Sequence, residues 1–304
     1  MFDTARTLDC NGRILRLDRC RVMGIVNVTP DSFSDGGAHS TADAAVAHAL
    51  RLVEEGADIL DVGGESTRPG ADAVSLEEEL QRVLPVIERL ARQATVPVSI
   101  DTSKPEVMRA AVAAGAGMVN DVRALSEPGA MEAVSTLGVP VVLMHMKGDP
   151  RTMQDGPVYE DVVGEVHRFL AERIFAAEMA GIDKKRIVID PGFGFGKTLD
   201  QNLALLAQLG HFAGLGVPVL AGLSRKRLIG ELTGRDVPTQ RVHGSVAAHL
   251  AAAQRGASLL RVHDVAATVD ALKVWEAVAA VLLPREAVQG GQGPTHAIRW
   301  PDDD

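Results

Sequence analysis

The sequence predicts a single-domain (β/α)₈ barrel (a TIM barrel) of the α/β class, and three observations carry that reading. Apolar strand-like runs alternate with helical patterns along most of the 304 residues. The candidate strands number eight, at 22–27, 59–62, 98–101, 118–121, 141–145, 187–190, 217–222 and 259–262. One phrase also recurs. "GADILDV" from Gly56, "GAGMVNDV" from Gly115 and "GASLLRVHDV" from Gly256 each close a helix with glycine, turn through alanine and enter an apolar strand. An open doubly wound sheet is the alternative, but no Gly-rich phosphate fingerprint follows the first strand.

"RVMGIVNV" is the first barrel strand. Beyond a Gly/Ser-rich loop, a helix is expected over Thr41–Glu55, capped by Thr41 and stopped by Gly56. "ADILDV" follows as a strand, and Ser75 with Glu78 has the spacing of a capping box for a second helix, kinked at Pro85. "VPVSID" is the next strand, after which Ser103 is expected to cap a helix reaching about Ala114. "VVLMHM", "RIVIDPG" and "VPVLAGLSRK" supply later strands. Residues 1–20 read as an N-terminal extension, 21–284 as the barrel and 285–304 as a C-terminal tail.

Composition narrows the function classes. Hydrophobic residues make up 46% and charged residues 23%, ordinary values for a soluble globular protein. A net charge of -9 speaks against a broad nucleic-acid surface, which needs clustered Lys and Arg. Cys10 and Cys20 are too few for a metal cage and fit a reduced, cytoplasmic protein. "MFDTARTLDC" lacks the apolar run of a signal peptide, and "VWEAVAAVLL" is interrupted by Glu276 and too short for a bilayer. Neither nucleic acid nor membrane is an expected partner.

"DPGFGFGKT", from Asp190 to Thr198, looks at first like a phosphate-cradling loop. A Walker A loop with Gly196-Lys197-Thr198 would need glycine at 191, where Pro191 stands. The dinucleotide pattern would need glycine at 197, which is Lys197. The glycines therefore serve another purpose.

In a barrel, chemistry sits at the C-terminal ends of the strands. Those positions hold Asn27, Asp61, Asp101, Asn120 with Asp121, His145, Asp190, Lys226 just beyond the seventh strand, and Arg261 with His263. Any one of them would serve equally as a loop or helix cap. Together they form a ring of hydrogen-bonding groups that calls for ligands. Asp101, Asn120, Asp190 and Lys226 suit a flat, amide-like heterocycle rich in N–H groups, because ionised carboxylates only accept. Thr67, Arg68, Arg261 and His263 suit an anion such as a phosphate. Asn27 offers the hard oxygen that Mg²⁺ favours. The loops "NVTPDSFSDGG" and "GGESTRPGA" at this face have the length and composition of a lid or substrate clamp.

Eight motifs in order, "MGIVNVTPDSFSDGG", "DVGGESTRPGA", "SIDTSKP", "VNDV", "LMHM", "IDPGFGFGK", "GLSRKRLIG" and "RVHDV", resemble the dihydropteroate synthases of folate biosynthesis, from about Arg21 to Asp264. The resemblance implies a (β/α)₈ barrel that joins (7,8-dihydropterin-6-yl)methyl diphosphate to 4-aminobenzoate, giving 7,8-dihydropteroate and diphosphate with Mg²⁺. It implies a pterin held by Asp101, Asn120, Asp190 and Lys226 with Met144 against the ring. It implies a diphosphate at Thr67, Arg68, Arg261 and His263, and the metal at Asn27. Aminobenzoate, or a sulfonamide in its place, would pack near Phe33, Pro69, Phe195, Ser224 and Lys226. Asp35 would cover a cationic centre left when diphosphate departs, with Lys226, Arg261 and His263 as the other catalytic groups. Lys197 is left without a phosphate role. A homodimer is implied, with helices of the C-terminal third as its surface. A pterin-binding methyltransferase shares the barrel but has no use for the anion cluster. A non-catalytic paralogue should lack one of Asn27, Arg68, Lys226 or Arg261, and all four are present.

Overall fold

A computed structural model describes residues 6–29, 38–66, 73–148 and 158–282. Phe33, Asp35, Thr67, Arg68 and Pro69 lie outside the described residues.

Eight parallel strands form the barrel: β3 (Arg21–Asn27), β4 (Ile59–Gly63), β5 (Val98–Asp101), β6 (Met118–Asp121), β7 (Val141–Met144), β8 (Ile187–Asp190), β9 (Leu220–Ala221) and β10 (Leu259–Val262). Each pairs with its sequence neighbour, and β10 pairs with β3. A parallel bridge from Ile189 to Val219, with the Ile189 N–H on the Pro218 carbonyl at 3.0 Å, closes the ring between β8 and β9. The open-sheet alternative is thereby excluded. Around the barrel run α1 (Ala38–Glu54), α2 (Leu76–Gln93), α3 (Pro105–Ala113), α4 (Ala130–Leu137), α5 (Val162–Met179), α6 (Leu199–Ala207), α7 (Arg227–Thr233), α8 (Val242–Gln254) and α9 (Val265–Leu282).

Strand period sorts the side chains. The outward set, including Val22, Leu60, Ile100, Val119, Leu143, Ile189 and Val262, joins the helices in the main core. The inward set begins with Met23, Ile59, Met118, Val142, Val188, Leu220 and Leu259, a separate apolar cluster at the N-terminal end of the barrel. Two residues further along each strand, the inward positions are Ile25, Asp61, Asn120, Met144, Asp190, Gly222 and Arg261, with Asp101 on β5.

Residues 1–20 hold more than an extension. β1 (Thr7–Cys10) and β2 (Arg13–Arg16) form an antiparallel hairpin whose Leu8, Cys10 and Leu15 join the inward apolar cluster. The hairpin thus plugs the lower mouth. Its turn is Asn11-Gly12, both at positive φ (56° and 84°), the conformation that matches strand twist in two-residue hairpins. Arg13 fastens it to the wall, donating to the carbonyls of Val96 (2.6 Å) and Ala91 (2.7 Å).

Two helix starts differ from the sequence reading. α1 begins at Ala38, so Thr41 lies inside it rather than capping it. α3 has Lys104 as its N-cap, because Pro105 takes the first helical position, where its missing N–H costs nothing. The Ser103 hydroxyl turns away to donate to Asp121 Oδ1 at 2.5 Å. Ser75 does cap α2, accepting from the Glu78 N–H at 3.2 Å, and Pro85 sits within that helix without ending it.

Candidate active site

Asp61, Asp101, Asn120 and Arg261 form one connected network inside the upper barrel. Arg261 Nε donates to Asp61 Oδ2 at 2.6 Å and its Nη2 to Asp101 Oδ2 at 2.6 Å. Asn120 Nδ2 donates to the same Asp61 oxygen at 2.9 Å. Burial pushes the Asp101 carboxyl up to about 7, with Asp61 adding to the rise and Arg261 opposing it.

On the other side of the interior stand Asp190 and Lys226. Gly222 lies between them and Arg261: a β-carbon there would stand 3.8 Å from Asp190 Oδ2 and 3.9 Å from both Lys226 Nζ and Arg261 Cβ. The missing side chain leaves the three groups facing a common space. Burial raises the Asp190 carboxyl, against the pull of Lys226 and of the Gly192 N–H, which donates to its Oδ1 at 2.7 Å. Burial lowers the Lys226 ammonium to about 8, although Asp190 favours its charged form. Lys226 Nζ also donates to the Phe193 carbonyl and lies 4.5 Å from the centre of the Phe195 ring.

The "DPGFGFGKT" glycines are explained by close approach. Gly192 (φ 70°) and Gly196 (φ 62°) pass so near the carbonyls of His145 and Lys147 that a β-carbon would fall 1.8 Å and 2.2 Å from those oxygens. Lys197 is 3% exposed and works inward, its Nζ 2.8 Å from the Gly192 carbonyl, 2.9 Å from that of Phe195 and 3.0 Å from His145 Nδ1. It gathers the loop that carries Asp190 and Phe195. Thr198 caps α6 in a reciprocal pair with Gln201, at 2.8 Å and 3.3 Å.

Ser224 and His263 meet across the loops after β9 and β10. The His263 N–H donates to Ser224 Oγ at 3.1 Å, and His263 Nδ1 is 3.0 Å from the same oxygen. Beside them Arg225, at φ 57°, holds Asp264 with two bonds (Nε 3.0 Å, Nη2 2.5 Å). Neither Arg225 nor Asp264 stood out in the sequence, since a contact across 39 residues leaves no spacing signal. Met144 is buried and faces inward beside Asp190 in register.

Two members of the strand-end ring point elsewhere. Asp121 follows an inward residue and so faces outward. Its Oδ1 accepts from Ser103 and the Arg123 N–H (2.9 Å), and its Oδ2 from the Leu125 N–H (2.7 Å). It is a loop cap. His145 likewise follows inward Met144 and packs edge-on against Phe169 of α5, with ring centres 4.9 Å apart. Burial and Lys197 lower its imidazole to about 3, so it stays neutral.

Asn27 ends β3 in register with Gly63. No cluster of three or more His, Cys, Asp or Glu among the described residues could cage a metal. A lone amide oxygen suits Mg²⁺, which keeps waters and binds through substrate phosphates rather than in an all-protein cage.

The profile of the family described as "Pterin binding enzyme" matches residues 23–263. The chain belongs to this family, among the dihydropteroate synthases. The dihydropteroate synthase of Escherichia coli (strain K12) is 53% identical over 270 residues, covering 89% of this chain and 95% of its own. A solved Xanthomonas albilineans dihydropteroate synthase with 4-aminobenzoic acid is 74% identical, at a TM-score of 0.87, over 91% of this chain and 99% of that one. Another from that organism, in complex with 7,8-dihydropteroate, is 71% identical at a TM-score of 0.84, covering 90% and 99%.

Proposed function

We propose that the chain is a transferase that condenses (7,8-dihydropterin-6-yl)methyl diphosphate with 4-aminobenzoate to give 7,8-dihydropteroate and diphosphate. The observation that carries this reading is the meeting of Asp190, Lys226 and Arg261 around the side-chain-free Gly222, one strand-level above an apolar floor, in a chain of this family. Two carboxylates, Asp101 and Asp190, and the Asn120 amide line a space suited to a flat ligand with several N–H groups. Met144 packs against its face. Lys226 supplies a donor beside Asp190 and, with Phe195 and Ser224, borders the arylamine pocket to which Phe33 and Pro69 also belong. A sulfonamide would compete there with aminobenzoate.

Diphosphate sits at Arg261 and His263, with Thr67 and Arg68 on the second loop. Asn27 would hold Mg²⁺, which when bound neutralises charge on the leaving diphosphate. Arg261 and His263 add donors aimed at the same developing charge. The dihydropterin stabilises a cation at its exocyclic methylene, so departure precedes attack by the weakly nucleophilic arylamine, and Asp35 covers that cation.

Val274, Val278 and Val281 are 67%, 59% and 82% exposed along one face of α9, which supports a homodimer through the C-terminal helices. Two free, buried cysteines support a reducing cytoplasm. The test is diphosphate release with both substrates and Mg²⁺ present, and with each omitted in turn. Full release without aminobenzoate, or methyl transfer from methyltetrahydrofolate to a corrinoid, would overturn the reading.

A further inference from the structure

We infer that Asp61 is a positioning residue: its buried carboxylate sets the Asn120 amide and the Arg261 guanidinium in the orientation that the pterin meets. The inference rests on the pterin reading of the site given above.

Asp61 lies inward on β4 and its side chain is wholly buried. A single oxygen, Oδ2, takes both Asn120 Nδ2 (2.9 Å) and Arg261 Nε (2.6 Å). The first bond has a chemical consequence. An amide whose NH₂ end is committed to Asp61 turns its oxygen the other way, so Asn120 presents an acceptor to a ligand rich in N–H donors. The second bond gives Arg261 a pivot. With Nε on Asp61 and Nη2 on Asp101, the guanidinium plane is fixed at two points contributed by different strands.

Asp61 is not arranged for its own satisfaction. Its other oxygen, Oδ1, is buried with no hydrogen-bond partner among the described residues. A carboxylate oxygen so placed is costly, and Asp61 in turn satisfies two buried donors, Asn120 Nδ2 and Arg261 Nε, that nothing apolar could satisfy. What an apolar residue could not do is hold two donors from strands β6 and β10 on one atom. Asp61 also bears on the charge of Asp101, which faces Arg261 from β10, Asp61 from β4, Asp121 from β6, Glu79 from α2 and Lys226 beyond β9. Of these, Asp61, Asp121 and Glu79 hold it up and Arg261 holds it down.

The test is the isosteric Asp61→Asn variant, in which the new amide can donate to Asn120 and invert it. Calorimetry with (7,8-dihydropterin-6-yl)methyl diphosphate and Mg²⁺ should show binding weakened about tenfold or more, the scale of one charge-assisted hydrogen bond. In an Asn120→Ala background the two changes together should weaken binding by clearly less than the product of their separate effects. The acid limb of the kcat/KM profile should move to lower pH, since one of the charges that raises Asp101 is gone. A purely structural role would leave the cycle multiplicative, whereas the limb reports the charge lost beside Asp101. Thermal melts check that each protein is folded, and Asp61→Ser, which admits water, carries the same measurements should Asp61→Asn not fold. Affinity within twofold of wild type, or fully multiplicative effects, would each overturn the inference. If wild type itself binds no pterin diphosphate, the functional reading falls and this one with it. Wild-type binding beside an unaffected variant sinks this inference alone.

Discussion

Replacing Gly192 with alanine should damage the site out of proportion to its effect on the fold. A β-carbon at Gly192 would stand 1.8 Å from the His145 carbonyl oxygen, where carbon and oxygen approach comfortably to about 3.3 Å. One segment must therefore give by about 1.5 Å, and the oxygen belongs to backbone, so the loop itself must move. Gly192 N–H is the donor on Asp190 Oδ1 at 2.7 Å, so the shift either breaks that bond or drags the carboxylate with it. A displacement of about 1 Å at a reacting or binding group costs about 100-fold, and kcat/KM should fall by that order. Left-handed backbone adds about 1–2 kcal/mol for a residue with a side chain. With the lost contacts the melting temperature should drop by roughly 6–12 °C, taking about 3 kcal/mol at about 2–4 °C each. Gly234→Ala is the control: its left-handed φ, 65°, is close to the 70° of Gly192, and nothing lies within 4 Å of the added carbon. It should cost about 1 kcal/mol and leave kcat/KM unchanged. Steady-state kinetics and calorimetric melts on both variants settle the matter. A folded Gly192→Ala protein with kcat/KM within threefold of wild type would refute the close-approach argument.

The pH profile of kcat/KM should be a narrow bell. Asp101, raised to about 7, gains its accepting charge as pH rises through that value, and Lys226, lowered to about 8, loses its proton above it, so the maximum falls near pH 7.5 by about half a unit either way. A flat profile from pH 6 to 9, roughly the range these groups span, would contradict the assignment. Lys197→Met strands the Gly192 and Phe195 carbonyls and His145 Nδ1, and should cost about 2–4 kcal/mol in urea unfolding; a loss below about 1 kcal/mol would mean that Lys197 is no buttress. Leu8→Ala, in the hairpin plug, should cost about 2–5 kcal/mol with KM for both substrates unchanged below the melt, and a silent Leu8→Ala would detach the hairpin from the barrel core.

Much of the barrel was legible because strand period and helix stops are local. Seven of the eight strands fall within a residue of their expected bounds, and only the run at 217–222 shrinks, to Leu220–Ala221 with the bridge at Val219. What a strand reading alone could not supply was which of two adjacent end residues faces inward. Asn120 and Asp121 are neighbours with similar chemistry, and Met144 and His145 are adjacent at a strand end, yet a step of one residue separates inward-facing from helix-facing. Counting forward in steps of two from Met118 or Val142 settles both. The hairpin was legible too: Leu8, Cys10, Asn11-Gly12 and Leu15 show the alternation and turn that mark one. Lys197 and Arg225 were beyond reach, since the first works on backbone carbonyls of its own loop, which carry no side-chain signal, and the second on a carboxylate brought near only by closure of the ring.

The interior of this barrel sets two opposite environments a few residues apart on the same strands. At the level of Met23, Ile59 and Leu259 it is apolar and sealed from below by Leu8 and Leu15. At the level of Asp61, Asp101 and Asp190 it holds three carboxylates against Arg261 and Lys226, and burial weakens the charged forms of Asp101, Asp190 and Lys226 alike. The apolar floor keeps water from reaching these groups on that side, so the carboxylates can be relieved only by each other's partners or by a ligand entering from the upper mouth. Arg261 and the Gly192 N–H provide part of that relief in the protein alone. On the function proposed above, a flat ligand with N–H groups would provide the remainder, in a low-dielectric space where each such bond is strong. Selectivity follows from the same arrangement: an analogue lacking one N–H leaves a buried carboxylate oxygen unpaired, which is penalised far more than a missing methylene.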